Sequence, residues 1–85
     1  MRIVAAPTEL DAVSAKPFTA DLGDGPVVVD CSRVEFIDSS GLQVLLEARQ
    51  RAVGAGGQVV LRNPSRVVLR LLKVTSTEEL FTIEP

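Results

Sequence analysis

Apolar residues in this chain come either in short unbroken runs or at helical spacing, and the two kinds alternate. Val27-Val28-Val29-Asp30-Cys31 and Gln58-Val59-Val60-Leu61-Arg62 are runs bounded on their N-terminal sides by glycine or proline, a pattern that predicts buried strands. Leu42, Leu45, Leu46, Ala52 and Val53 recur at helical intervals instead, which predicts a helix from Ser40 to about Val53 with one apolar face. Arg49 falls inside that sector on an ideal wheel, where its stem can cover apolar surface while the guanidinium reaches water or a partner.

The remaining segments extend the alternation. Arg2 to Ala6 carries Ile3 and Val4 and stops at Pro7, which suits a short strand ended by a residue that cannot donate to a ladder. Ser14 is positioned to cap a short helix that holds Pro17 in its first turn and puts Phe18 and Leu22 on one face, before Gly23-Asp24-Gly25-Pro26 breaks it. Ser32 to Ile37 reads as a connection, with Val34, Phe36 and Ile37 expected to pack beneath it. Gly54-Ala55-Gly56-Gly57 supplies the left-handed residue that ends the central helix. Asn63 and Pro64 are then the expected N-cap and first residue of a last helix, with Val68, Leu71 and Leu72 inward and Arg66, Arg70 and Lys73 outward. Such a basic stripe is ordinarily a solvated face, and it can also meet an acidic partner. Leu80 to Ile83 leaves room for a closing strand. The order βαβαβαβ predicts an α/β domain over residues 1–85, with a small, mostly parallel sheet covered by helices.

Composition narrows the function. Eighty-five residues permit one domain and one modest core, and with three Phe and neither Trp nor Tyr that core must be aliphatic. A net charge of −2 offers no broad basic field, and the missing aromatics remove base-stacking platforms, so nucleic-acid binding is not expected. The single Cys cannot form an internal disulfide. The absence of His removes the commonest zinc ligand and every imidazole-dependent mechanism, so neither a metal nor another cofactor is expected. Met1-Arg2-Ile3-Val4-Ala5-Ala6-Pro7 is too short an apolar run for a signal peptide or a membrane span, which leads us to expect a cytoplasmic location.

One junction looks built for chemistry. Asp38-Ser39-Ser40-Gly41 stands where the central helix begins, and its simplest role is that of an N-cap. Parallel sheets also present functional groups at the carboxyl ends of their strands, which would bring Asp11, Asp30, Asp38 and Ser39 to one edge. Two functions suit such an edge. A serine at a helix N-terminus can accept a phosphoryl group whose charge alters a docking surface. Alternatively, clustered carboxylates can hold Mg²⁺ beside an aspartyl phosphoacceptor, although Lys16 and Lys73, the only lysines, do not follow a strand end.

The run from Val29 to Leu42, followed by Gly56-Gly57, a strand and Asn63-Pro64-Ser65, resembles the STAS domain of anti-sigma-factor antagonists over nearly the whole chain. Glu9-Leu10-Asp11 is similar to the acidic turn before the first family helix. Ser39 stands at the position of the family's phosphorylated residue, with Asp11, Asp30, Asp38, Ser40 and Gly41 as its neighbours. The resemblance implies a non-enzymatic partner switch. The unphosphorylated domain would bind an anti-sigma factor that is also a serine kinase, phosphorylation would release it, and a serine phosphatase would restore binding. Gln43, Glu47 and Gln50 are the exposed candidates for partner contact. The same family includes small subunits of lipid-trafficking transporters and modules of stress-signalling assemblies, which gives a second reading. Three departures stand out: room for one strand before Thr8 where the family has two, Thr8 in place of a common glycine, and Ser76-Thr77 in place of Gly-Leu.

Overall fold

The computed structural model describes residues 2–85; Met1, part of the stretch read for a targeting signal, lies outside them. Four strands, β1 (Arg2–Ala5), β3 (Val27–Asp30), β5 (Val59–Arg62) and β6 (Thr82–Glu84), form one sheet in that order, with every pairing parallel. Between them run α1 (Ala12–Leu22), α2 (Ser39–Gly54) and α3 (Arg66–Val74). The expected alternation and the mostly parallel sheet are therefore present, with one strand before Thr8.

A second sheet was not expected. Beyond the carboxyl ends of β1 and β3 the chain pairs again as β2 (Glu9–Leu10) and β4 (Phe36–Ile37), two residues each and parallel. The amides of Glu35 and Phe36 donate to the Thr8 carbonyl and that of Asp38 to the Leu10 carbonyl, so the supposed connection from Ser32 to Ile37 is partly a ladder. Val34 is buried and Ile37 half-buried beneath it, as expected, but Phe36 faces outward and is 47% exposed. Strand alternation sends neighbouring side chains to opposite faces, so Phe36 and Ile37 cannot both point inward.

Val27, Val29, Val59 and Leu61 project from the sheet into one core with Leu10, Phe18, Leu22, Leu45, Val68 and Leu72. This core is aliphatic apart from Phe18, Cys31 and Phe81. The inward face of α2 is Gly41, Leu42, Val44, Leu45, Ala48 and Ala52. Leu46 is only partly buried and Val53 is 51% exposed, contrary to the face read from spacing. Val44 and Ala48 displace them because this stripe is centred between Gly41 and Ala52, where the helix packs on α1 and on the small sheet. The Arg49 Nε donates to the Leu80 carbonyl at 2.9 Å, so the guanidinium fastens α2 to the 3-10 turn Glu78–Leu80. That turn leaves the closing strand to start at Thr82 instead of Leu80.

Each helix starts one to three residues away from its expected position. Asp11, and not Ser14, caps α1: its Oδ1 accepts from the amides of Val13 and Ser14, while the Ser14 hydroxyl accepts from the Asp11 amide at 3.0 Å. This reciprocal pair is a capping box, and it starts the helix early enough to place Pro17 in the interior. At the last helix Asn63 takes φ 49 and donates its amide to Glu84, continuing the ladder, so Ser65 becomes the N-cap residue. The glycine break after α2 is as expected, with Gly56 at φ 83.

Candidate functional site

The site begins with two strand ends. Leu10 pairs with Ile37, and the next residue on each strand is an aspartate that caps the helix leaving it, Asp11 for α1 and Asp38 for α2. Two packed helices thus bring their N-termini to one rim, where unpaired amides and aligned peptide dipoles favour negative charge. The hydrogen bonds from Ser14 and Val13 hold the Asp11 carboxyl below its ordinary range.

Asp38 Oδ1 accepts from the amides of Ser40 at 2.9 Å and Gly41 at 3.2 Å, and the Asp38 carbonyl accepts from the Leu42 amide. The cap is therefore the aspartate. Ser39 is the first residue of the helix, exposed, with no part in satisfying the first-turn amides. Ser40, also in the first turn, is half-buried. Helical rotation separates them further. Ser39 lies on the same exposed stripe as Gln43, Glu47 and Gln50, at intervals of four, eight and eleven residues, whereas Ser40 turns toward the flank. The Gln43 amide reaches Glu47 Oε2 at 3.5 Å along this stripe.

Gly41 decides how closely the rim is assembled. A Cβ there would collide with the Leu10 carbonyl oxygen and stand 2.7 Å from the Leu10 Cβ, so only glycine lets the first turn of α2 rest on the small sheet.

Asp30 stands apart from this rim. It ends β3 in the larger sheet, and its Oδ1 accepts from the Ser32 amide, which holds its carboxyl below the ordinary range. Among the described residues no three of His, Cys, Asp and Glu gather closely enough to hold a metal ion. The shared edge is thus a pair of capping aspartates beside an exposed serine, with the third carboxylate bound up in its own turn. The neighbouring Cys31 is fully buried, and desolvation, with the Asp30 charge second, pushes its thiol up to about 12, which removes it from nucleophilic chemistry.

The chain has known relatives. Residues 4–82 match the family described as "Mlab, STAS domain". The chain belongs to the STAS domain family. A STAS-domain protein of Pseudomonas aeruginosa is 39% identical over 56 residues, a stretch covering 66% of this chain and 55% of the relative, so the match spans little more than half of that protein. Among solved structures, the unphosphorylated anti-sigma factor antagonist SpoIIAA superposes with a TM-score of 0.79 at 19% identity, over 99% of this STAS chain and 81% of its own. The crystal structure of TM1081 of Thermotoga maritima, a proposed anti-sigma factor antagonist, reaches 0.83 at 24% identity over 98% and 79%. The mixed α/β fold with its parallel sheet and three helices is the STAS fold of these proteins. As for membranes, among the described residues no helix is long and apolar enough to cross one.

Spacing alone could not have shown that Asp38 takes the cap and frees Ser39. The Leu10-Asp11 and Ile37-Asp38 pairs, each an apolar residue and an aspartate before a helical stretch with Ser following, are the signal that two capped helices share the rim.

Proposed function

We propose that this STAS domain is a phosphorylation-controlled partner-switching protein of the anti-sigma-factor-antagonist type, with Ser39 as phosphoacceptor. The unphosphorylated surface binds an anti-sigma factor that is also a serine kinase, a phosphorylated Ser39 releases it, and a serine phosphatase resets the switch. The domain in this reading is ligand and substrate, and it acts in the cytoplasm without a cofactor. The observation that carries the reading is the exposed Ser39, relieved of capping by Asp38 and heading the stripe of Gln43, Glu47 and Gln50. A phosphate there adds a charge of about −1.5 to −2 on a surface that already holds Asp38 and Glu47, and a partner seated on that stripe would meet it directly.

A second reading is a small STAS subunit of a lipid-trafficking transporter or of a stress-signalling assembly. The match to the family described as "Mlab, STAS domain" is the observation on its side. Incubation with the kinase and ATP, followed by mass spectrometry of the peptide spanning Val34 to Arg49, separates the switch from the transporter-subunit reading. Phosphate is expected on Ser39, and S39A should remove it while retaining the partner; Q43A/E47A should weaken partner binding. Phosphate on Ser40 overturns the assignment of the residue. No phosphate on either serine, with a kinase active on a control substrate, overturns the switch.

A further inference from the structure

The outer side of α3 has the chemistry of an interaction surface that the Ser39 rim does not use. Arg66, Arg70 and Lys73 follow one another at intervals of four and three residues, all exposed, so their charges align along the helix. All eleven acidic residues of the chain lie outside α3. The two ion pairs among the described residues, Arg51 with Asp24 and Arg62 with Glu84, involve none of these three cations. Between them the helix is apolar: a groove of about 520 Å³ runs past Leu69 and Val74, bounded by the stems of the three cations. A second groove of about 260 Å³ adjoins it, sharing Arg70 and Val74, with Ile37 of β4 and Leu71 half-buried at its floor. Val74 is 75% exposed and Val67 37%, so apolar surface without cover lies directly against unneutralised positive charge.

We propose that α3 and the adjoining end of β4 form a docking groove for an acidic amphipathic helix of a partner protein. Charge complementarity selects an acidic partner, and the two adjoining recesses select a helix: side chains at i, i+3 and i+7 can reach Leu69 in the first and Ile37 and Leu71 in the second, with Arg70 and Val74 shared between them. A bilayer would meet the outermost groups only and leave that floor unfilled. The nine residues of α3 span roughly 13 Å, enough for two to three turns of the incoming helix. The groove does not depend on whether Ser39 takes a phosphate.

The probe is a synthetic fifteen-residue helical peptide with a leucine face and a glutamate face, set beside the same peptide carrying lysine for glutamate. With isotope-labelled protein, amide shifts are expected at residues 36–38 and 66–74 for the glutamate peptide, with affinity falling as salt is raised. R66E/R70E/K73E should lower that affinity tenfold or more and bind the lysine peptide instead. These side chains are exposed, so the melting temperature should stay in place; if it does not, R70E alone provides the comparison. Equal binding of both peptides, shifts confined to another face, or no binding overturns the proposal. So does retention on phosphatidylglycerol vesicles without binding of the peptide, which would assign the stripe to a lipid surface.

Discussion

Ser39 and Ser40 share a residue type and a helix terminus and differ in direction, and that difference separates two measurable roles. Stability at this point rests on Asp38, whose carboxylate satisfies two amides, so D38A should cost about 0.5–2 kcal/mol in chemical unfolding. Ser39 satisfies neither of those amides and is exposed, so S39A should stay within about 0.5 kcal/mol of the parent. By residue type Ser39 is as acceptable a cap as Asp38. The hydrogen bonds give the cap to Asp38, so under the proposed switch a phosphate on Ser39 would leave the cap intact and act on whatever sits against the stripe. If S39A destabilised the domain as much as D38A, the two roles would be one, and loss of binding on phosphorylation could reflect local unfolding.

At the level of elements, the small β2–β4 sheet is the platform on which the rim is built, and Gly41 is the contact that lets α2 reach it. Alanine would ordinarily favour a helix interior over glycine by roughly 1 kcal/mol. At Gly41 the added Cβ meets the Leu10 backbone, and overpacking of that kind costs about 1–3 kcal/mol, so G41A should be a net loss in a urea titration. G54A, in the same helix with open space around its Cβ, should show no such penalty. The main sheet and its helices were legible because four-residue runs such as Val27–Asp30 and apolar positions such as Leu42 and Leu45 carry period and length. The platform was not, because Glu9–Leu10 and Phe36–Ile37 are two residues each, too short to show alternation. Helix starts were displaced for a related reason. Asp11, Ser14, Asp38 and Ser39 are all acceptable caps by type, and only the hydrogen bonds tell which one closes the turn. The candidate serine could be named from residues and resemblance, whereas its release from capping shows only in the hydrogen bonds that Asp38 accepts.

Across the whole molecule, Cys31 offers a natural probe of how the parts hold together. It follows β3, its amide donates to the Arg62 carbonyl at 3.0 Å, and its own carbonyl accepts from the amides of Val34 and Ser65. One residue therefore ties the main sheet to the approach of β4 and to the start of α3, with its side chain fully buried in the common core. Exposing the thiol requires the core around it to open. A maleimide or disulfide reagent at neutral pH should label the native protein very slowly, both because the side chain is covered and because its thiol is pushed up to about 12. Labelling should accelerate with urea along the same slope as global unfolding followed by circular dichroism, since both then report exposure of the same surface. A labelling rate nearly independent of urea would show that the region around Cys31 opens locally. Exposure of the thiol would then need only the contacts around Cys31 to open, and not the unfolding of the sheet.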